Sequence, residues 1–210
     1  MTAPARFTTR LCASLAVAAA LLAAPSAHAA DPPQQLAATG EAVQFVRALG
    51  DEVVDILKQG DASRKARTTK LRGVFNRAFD VDAMARFATG RFWREANTTQ
   101  QLEYLRLFRD YVAELYANRF ADYGGQSFEV IGERTLDDET IVVAGRIDQP
   151  QKSSTRVEFR VRKTSDGLKI VDVYADGLSL LITKRDEFTA VLARNGMDGL
   201  IERLRRSRQG

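Results

Sequence analysis

Arg156-Val157-Glu158-Phe159-Arg160-Val161-Arg162 alternates charged and apolar residues without a break. Successive side chains of a β-strand point to opposite faces, so this stretch predicts a strand with one wet and one dry face. Val157, Phe159 and Val161 make the dry face, and Arg156, Glu158, Arg160 and Arg162 the wet one. Turn residues delimit four strands in all, about Ser127–Glu133, Thr140–Ile147, Ser154–Lys163 and Leu168–Tyr174. Asp137-Asp138 and Asp166-Gly167 read as hairpin turns, and Asp148-Gln149-Pro150 opens a longer connection. Hairpins in sequence predict an antiparallel meander. By the same period of two, Ile141, Val143 and Ile147 share one face of the neighbouring strand.

On both sides of the sheet the period becomes helical. Val46, Leu49, Val53, Ile56 and Leu57 predict a helix that Gly60-Asp61 stops. A more polar helix follows over Arg64 to Phe79, with Leu71, Val74, Phe75 and Ala78 inward. Asp80 is placed to cap a short helix carrying Val81, Met84, Ala85 and Phe87, and Gly90 breaks the chain before Phe92 and Trp93. Thr98 with Gln101 fits a capping box for a helix of about Thr99 to Asp122, which Gly124-Gly125 ends. On it Leu102, Leu105, Phe108, Val112, Leu115 and Tyr116 form an apolar stripe. Tyr104, Leu107 and Tyr111 widen that stripe beyond the usual ~100°, and Glu103, Arg106, Asp110 and Glu114 hold the wet face. After the sheet, Leu178, Leu181, Ile182, Phe188, Val191 and Leu192 predict a helix that stops at Asn195-Gly196, before a last turn of Met197, Leu200, Ile201 and Leu204. Helices segregated against a one-sided antiparallel sheet predict an α+β domain with an apolar cleft between its layers.

The N-terminus reads differently. Arg6 and Arg10 precede an apolar run from Leu11 to Ala24, then Pro25-Ser26 and the small-x-small pattern Ala27-His28-Ala29. This is the layout of a cleaved secretory signal, with an apolar run too short to span a bilayer. Residues 1–29 are therefore assigned to export and 30–210 to a single domain. The 210-residue chain has one Cys, Cys12, and one His, His28. Cleavage after Ala29 leaves a mature chain with neither, which excludes disulfides, thiol nucleophiles, Ser-His-Asp triads and His/Cys zinc sites. No Walker pattern is present. Losing Arg6 and Arg10 leaves 29 of the 31 basic residues against 27 acidic ones. So small and interleaved a surplus does not mark a nucleic-acid binder.

Several residues carry two readings each. Asp172, between Val171 and Val173, reads either as a base with a raised pKa or as a carboxylate paired with an Arg. The first would make an isomerase-type enzyme with Tyr111 or Tyr174 as hydrogen-bond donor. Trp93, between Arg91 and Arg94, reads as a stacking platform or as the anchor of a short helix. Arg203, Arg205, Arg206 and Arg208 read as anionic-headgroup contacts or as a solvated tail.

Taken together, the motifs resemble the MlaC/toluene-tolerance (Ttg) family. Phe79-Asp80-Val81-Asp82-Ala83-Met84-Ala85-Arg86 and Gly90-Arg91-Phe92-Trp93-Arg94 are similar to its N-terminal signature. Leu168-Lys169-Ile170-Val171-Asp172-Val173, Asp176-Gly177-Leu178-Ser179-Leu180, Arg185, Phe188 and Asn195-Gly196-Met197-Asp198-Gly199-Leu200-Ile201 follow in the family's order. The resemblance spans roughly Val43 to Leu204. It implies an NTF2-like sheet and helices around an apolar pocket, in a periplasmic lipid carrier. Such a pocket needs no metal, nucleophile or cofactor, and from a mature chain without Cys or His no catalytic or metal-binding residue is expected. It implies shuttling of phospholipid between an outer-membrane lipoprotein–porin complex and an inner-membrane ABC transporter with an MCE-domain subunit. Phospholipid carriers of the family usually have an aromatic residue before the matched Arg185, where this chain has Lys184. The run Leu181 to Phe188 is closer to the hopanoid-associated branch called HpnM, which makes a hopanoid the alternative cargo.

For such a cargo the predicted wall is the dry sheet face, Ile141, Val143, Ile147, Val157, Phe159, Val161 and Val173. The wide helical stripe of Phe108, Tyr111, Val112 and Leu115 is the expected opposing wall, with Phe87 beside it.

Overall fold

The computed structural model describes residues 39–59, 64–119, 125–150 and 153–207, without the side chains of residues 64 and 116–119. Residues 1–29, which the sequence assigns to export, the stop at Gly60-Asp61, the side chain of Tyr116, Gly124 and Arg208 lie outside the described residues. Five helices come first: α1 (Glu41–Lys58), α2 (Arg64–Ala78), α3 (Val81–Thr89), α4 (Phe92–Glu95) and α5 (Thr98–Arg119). Strands β1 (Ser127–Thr135), β2 (Thr140–Asp148), β3 (Thr155–Thr164), β4 (Gly167–Ala175) and β5 (Leu178–Ser179) follow, and α6 (Leu180–Arg206) closes the chain. The sheet is an antiparallel meander in the order β1-β2-β3-β4-β5. This is the expected α+β architecture with one more strand. Among the described residues no helix is long and apolar enough to cross a membrane.

Local chemistry sets the element boundaries. The β1–β2 hairpin closes with the Leu136 amide donating to the Thr140 carbonyl at 2.9 Å, and the Asp137 carboxylate accepts from the Glu139 amide. Asp80 caps α3 as expected, accepting from the Ala83 amide at 3.0 Å. The capping box of α5 sits one residue earlier than the Thr98–Gln101 reading. Asn97 accepts from the Gln100 amide, and the Gln100 side chain accepts from the Asn97 amide, both at 3.0 Å. Gln101 instead turns back, donating to the carbonyls of Trp93 and Ala96. Within α6, Gly196 (φ 62°, ψ −167°) takes a backbone that a side chain would strain, and the helix breaks there into two segments.

Two apolar clusters make most of the core. In the helical one, α3, α5 and α6 bury Met84, Ala88, Tyr104, Phe108, Phe188, Leu192, Leu200 and Leu204. In the sheet one, Val143, Val161, Ile170 and Val173 pack against Ala42, Val43 and Val46 of α1. Phe79, at the α2–α3 junction, packs against both. That junction is tied to the sheet, since the Asp80 amide donates to the Ile170 carbonyl at 3.0 Å and Lys169 Nζ to the Arg77 carbonyl at 2.6 Å. Leu102, expected in the α5 stripe, is 64% exposed. The buried face of that helix is centred on Tyr104, Leu107, Phe108 and Val112, and Leu102 projects off its edge.

Candidate functional site

The inner sheet face brings five of the predicted wall residues into one cluster. Val143, Val161 and Val173 are buried in it, and Ile141 and Phe159 pack at its margin, half-buried. Val157 is buried further along β3, opposite Gly145, and Ile147 is half-buried where β2 pairs with Phe128. The helical half of the expected wall is placed differently. Phe108 and Val112 are buried in the helical cluster, with Tyr111 packed against it and Leu115 half-buried on α5. Phe87 is 41% exposed on α3 with the Arg185 guanidinium over its ring. The element that lies on the sheet is α1.

Three features that sequence reasoning missed explain this. Glu133 of β1 accepts the Val43 amide at 3.0 Å, which satisfies an orphan donor in the first turn of α1 and anchors the helix to the sheet. A Cβ at Gly40 would collide with the same carboxylate. Phe128 fills the space between α1 and the sheet, where a Cβ at Gly50 of α1 would run into its ring and one at Gly145 of β2 would sit 2.7 Å from it. Its ring also meets Phe159 edge to face at 5.8 Å. Val43, Val46 and Gly50 follow helical spacing, so a small residue continuing an apolar stripe was the available signal of a close approach.

The resulting layer is apolar from α1 to β4, closed at its centre and open at its margin. Val43, Val143, Val161 and Ile170 have no accessible surface, whereas Phe45, Leu49, Phe128, Val130 and Phe159 are half-buried around them. Among the described residues its lining is aliphatic and aromatic. Two surface clefts lie elsewhere. One of about 500 Å³ runs between α5 and α6 past Gln100, Glu103, Asp198, Glu202 and Arg205. The other, about 310 Å³, lies over Ile131, Ala144, Arg146 and Arg156. Charged side chains line both, so neither matches the apolar wall.

Asp172 is buried, and its carboxylate is engaged by the protein's own donors. Its carboxylate accepts from the Ser179 hydroxyl at 2.7 Å and from the amides of Val173 at 2.8 Å and Leu181 at 3.3 Å. Those bonds join β4, β5 and the first turn of α6. Tyr174 lies under the Arg160 guanidinium, and Tyr111 packs on Phe188 beside Lys184, whose ammonium is paired with Glu187 at 2.8 Å. Burial raises the pKa of Asp172 above its ordinary value, and its three hydrogen bonds and Arg160 offset only part of that rise. The folded state therefore holds this proton at a pH where the unfolded chain has lost it. Stability from this group is full below the ordinary carboxylate value and falls as pH rises to the raised one. Asp172→Asn removes that step. Wild type should lose stability relative to the variant as pH rises above about 4, measured by paired thermal melts.

The relationships of the chain agree with this architecture. The family model described as MlaC protein matches residues 47–206, from within α1 to the end of α6. A solved structure, the phospholipid-binding protein from Ralstonia solanacearum in complex with a phospholipid, superposes with a TM-score of 0.69 at 26% identity. The match covers 80% of this chain and 96% of that one. With sequence family and three-dimensional fold in agreement over most of its length, the chain belongs to the MlaC family.

Proposed function

We propose that the protein is a periplasmic lipid carrier that shields acyl chains between the inner sheet face and the helices. In this reading it shuttles phospholipid between an outer-membrane lipoprotein–porin complex and an inner-membrane ABC transporter with an MCE-domain subunit. The observation that carries the reading is the structural match to a phospholipid-binding protein solved with a phospholipid bound, beside the MlaC family match. The physics of transfer supports it. Exposing some 30 methylenes to water costs about 0.8 kcal/mol each, more than about 20 kcal/mol in total. A carrier that encloses the chains in apolar side chains removes that barrier without any reacting group, and an apolar layer with a half-buried aromatic margin is built for this. Since the centre of the layer is filled by its own side chains, an acyl chain enters by displacing those at the margin, Phe128 and Phe159 first.

Lipidomics and native mass spectrometry of protein expressed in a Gram-negative host are expected to show co-purifying phospholipid at close to one molecule per chain. Protein that is consistently empty would overturn the carrier reading. The second reading, a hopanoid carrier, rests on Lys184 in place of the aromatic residue. It predicts a polycyclic cargo when the host makes hopanoids.

A further inference from the structure

We propose that the face formed by the end of α3, by α4 and by the first turns of α6 docks on the surface of an anionic lipid bilayer. Much of the arginine of this fold is neutralised by a carboxylate: Arg72 by Glu114, Arg77 by Glu52, Arg109 by Asp82, Arg146 by Glu129 and Arg205 by Glu103. Arg86, Arg91, Arg94 and Arg185 are set apart by lying together around one group of aromatic rings. Among the described residues none of them is in an ion pair, and three rest on aromatic rings instead. The Arg185 guanidinium lies 4.8 Å from the Phe87 centroid, Arg91 5.0 Å from Phe92 and Arg86 5.7 Å from Trp93. A ring supports a guanidinium through its face and leaves the N–H edge free for phosphate oxygens. Two acids of the same region are already taken, Asp82 by Arg109 and Glu187 by Lys184, which leaves Glu95 and Asp186 against four arginines.

Apolar side chains accompany these charges. Phe87 is 41% exposed under Arg185, Ile182 is 44% exposed one turn before Arg185, and Leu178, just ahead of α6, is 71% exposed. Cationic and apolar groups are thus interleaved, unlike a protein interface with its apolar centre inside a polar rim. Interleaving suits the bilayer interface, where side chains such as Ile182 enter the headgroup–acyl boundary while arginines meet the phosphates. Charge complementarity selects an anionic membrane over a neutral one. This docking requires no cargo, so it stands or falls apart from the carrier reading.

The test is sedimentation of the protein, as recovered from the expressing host, with vesicles of phosphatidylcholine containing about one-third phosphatidylglycerol. Binding is expected to the anionic vesicles and not to pure phosphatidylcholine, and to fall as salt is raised. Arg91→Glu/Arg94→Glu, at two exposed positions, should lower vesicle affinity at least about tenfold with an unchanged circular dichroism spectrum. Arg203→Glu/Arg206→Glu, at the far end of α6, should leave it unchanged. Ile182→Ser keeps every charge and should weaken binding at all salt concentrations. No binding to anionic vesicles, or equal binding by wild type and the Arg91/Arg94 variant, would overturn the proposal. So would retention of an acidic protein that depends on Arg91 and Arg94 without any vesicle binding.

Discussion

Phe159→Glu is expected to strip the protein of co-purified lipid while leaving it folded. Phe159 projects from β3 onto the inner sheet face, half-buried beside Phe128, so a glutamate there can keep its carboxylate near the margin in the empty protein. Once acyl chains occupy that margin, the same carboxylate has no water and no cation, and burying it costs several kcal/mol or forces it to take up a proton. At 1.4 kcal/mol for each factor of ten, lipid content at neutral pH should fall at least about a hundredfold in native mass spectra. Phe159→Leu, apolar and smaller, should retain most of it. Val143→Glu is the harsher version, because Val143 has no accessible surface, and it should lower stability as well as lipid content. A folded Phe159→Glu protein with a full complement of lipid would move the site away from this face.

The largest loss of stability is expected at Phe188→Ala. Phe188 is 1% exposed on α6, meets Phe108 edge to face and packs on Tyr111, both at 6.1 Å between centroids. Deleting its ring leaves a cavity walled by three helices that are braced elsewhere and cannot close on it. Such replacements cost about 3–5 kcal/mol, a large share of the 5–15 kcal/mol that holds an ordinary domain together. Denaturant melts should show an earlier midpoint at an unchanged slope, and Phe188→Leu should recover most of the difference.

Strong alternation made the sheet legible. In Arg156 to Arg162 a shift of one residue would turn three arginines inward, so only one register is tolerable, and the turn residues on either side mark the ends. β5 escaped because two residues, Leu178 and Ser179, carry no period. The cap of α5 slipped by one because Asn97-x-x-Gln100 and Thr98-x-x-Gln101 both satisfy the same pattern, and only the backbone direction separates them. The candidate wall was half legible for a different reason. Periodicity tells which face of an element is dry but not which dry face it meets, and both α1 and α5 offered one. The deciding information lay in small or single polar residues, Gly50 and Glu133, whose meaning depends on partners 78 and 90 positions away, Phe128 and Val43.

That separation also bears on how the chain folds. A meander without crossovers lets β1 to β4 assemble hairpin by hairpin from neighbours in sequence, which is the rapid, low-contact-order part of the problem. The bond from Val43 to Glu133 spans 90 residues, and the docking of α1 cannot begin until the first hairpin exists. During synthesis α1 therefore emerges first and finds its partner late, its stripe of Val43, Val46 and Leu49 unmatched in the interval. Because this junction forms late, mutations there should mainly speed unfolding and leave the folding rate nearly unchanged, and chaperone dependence should be greatest for this first helix.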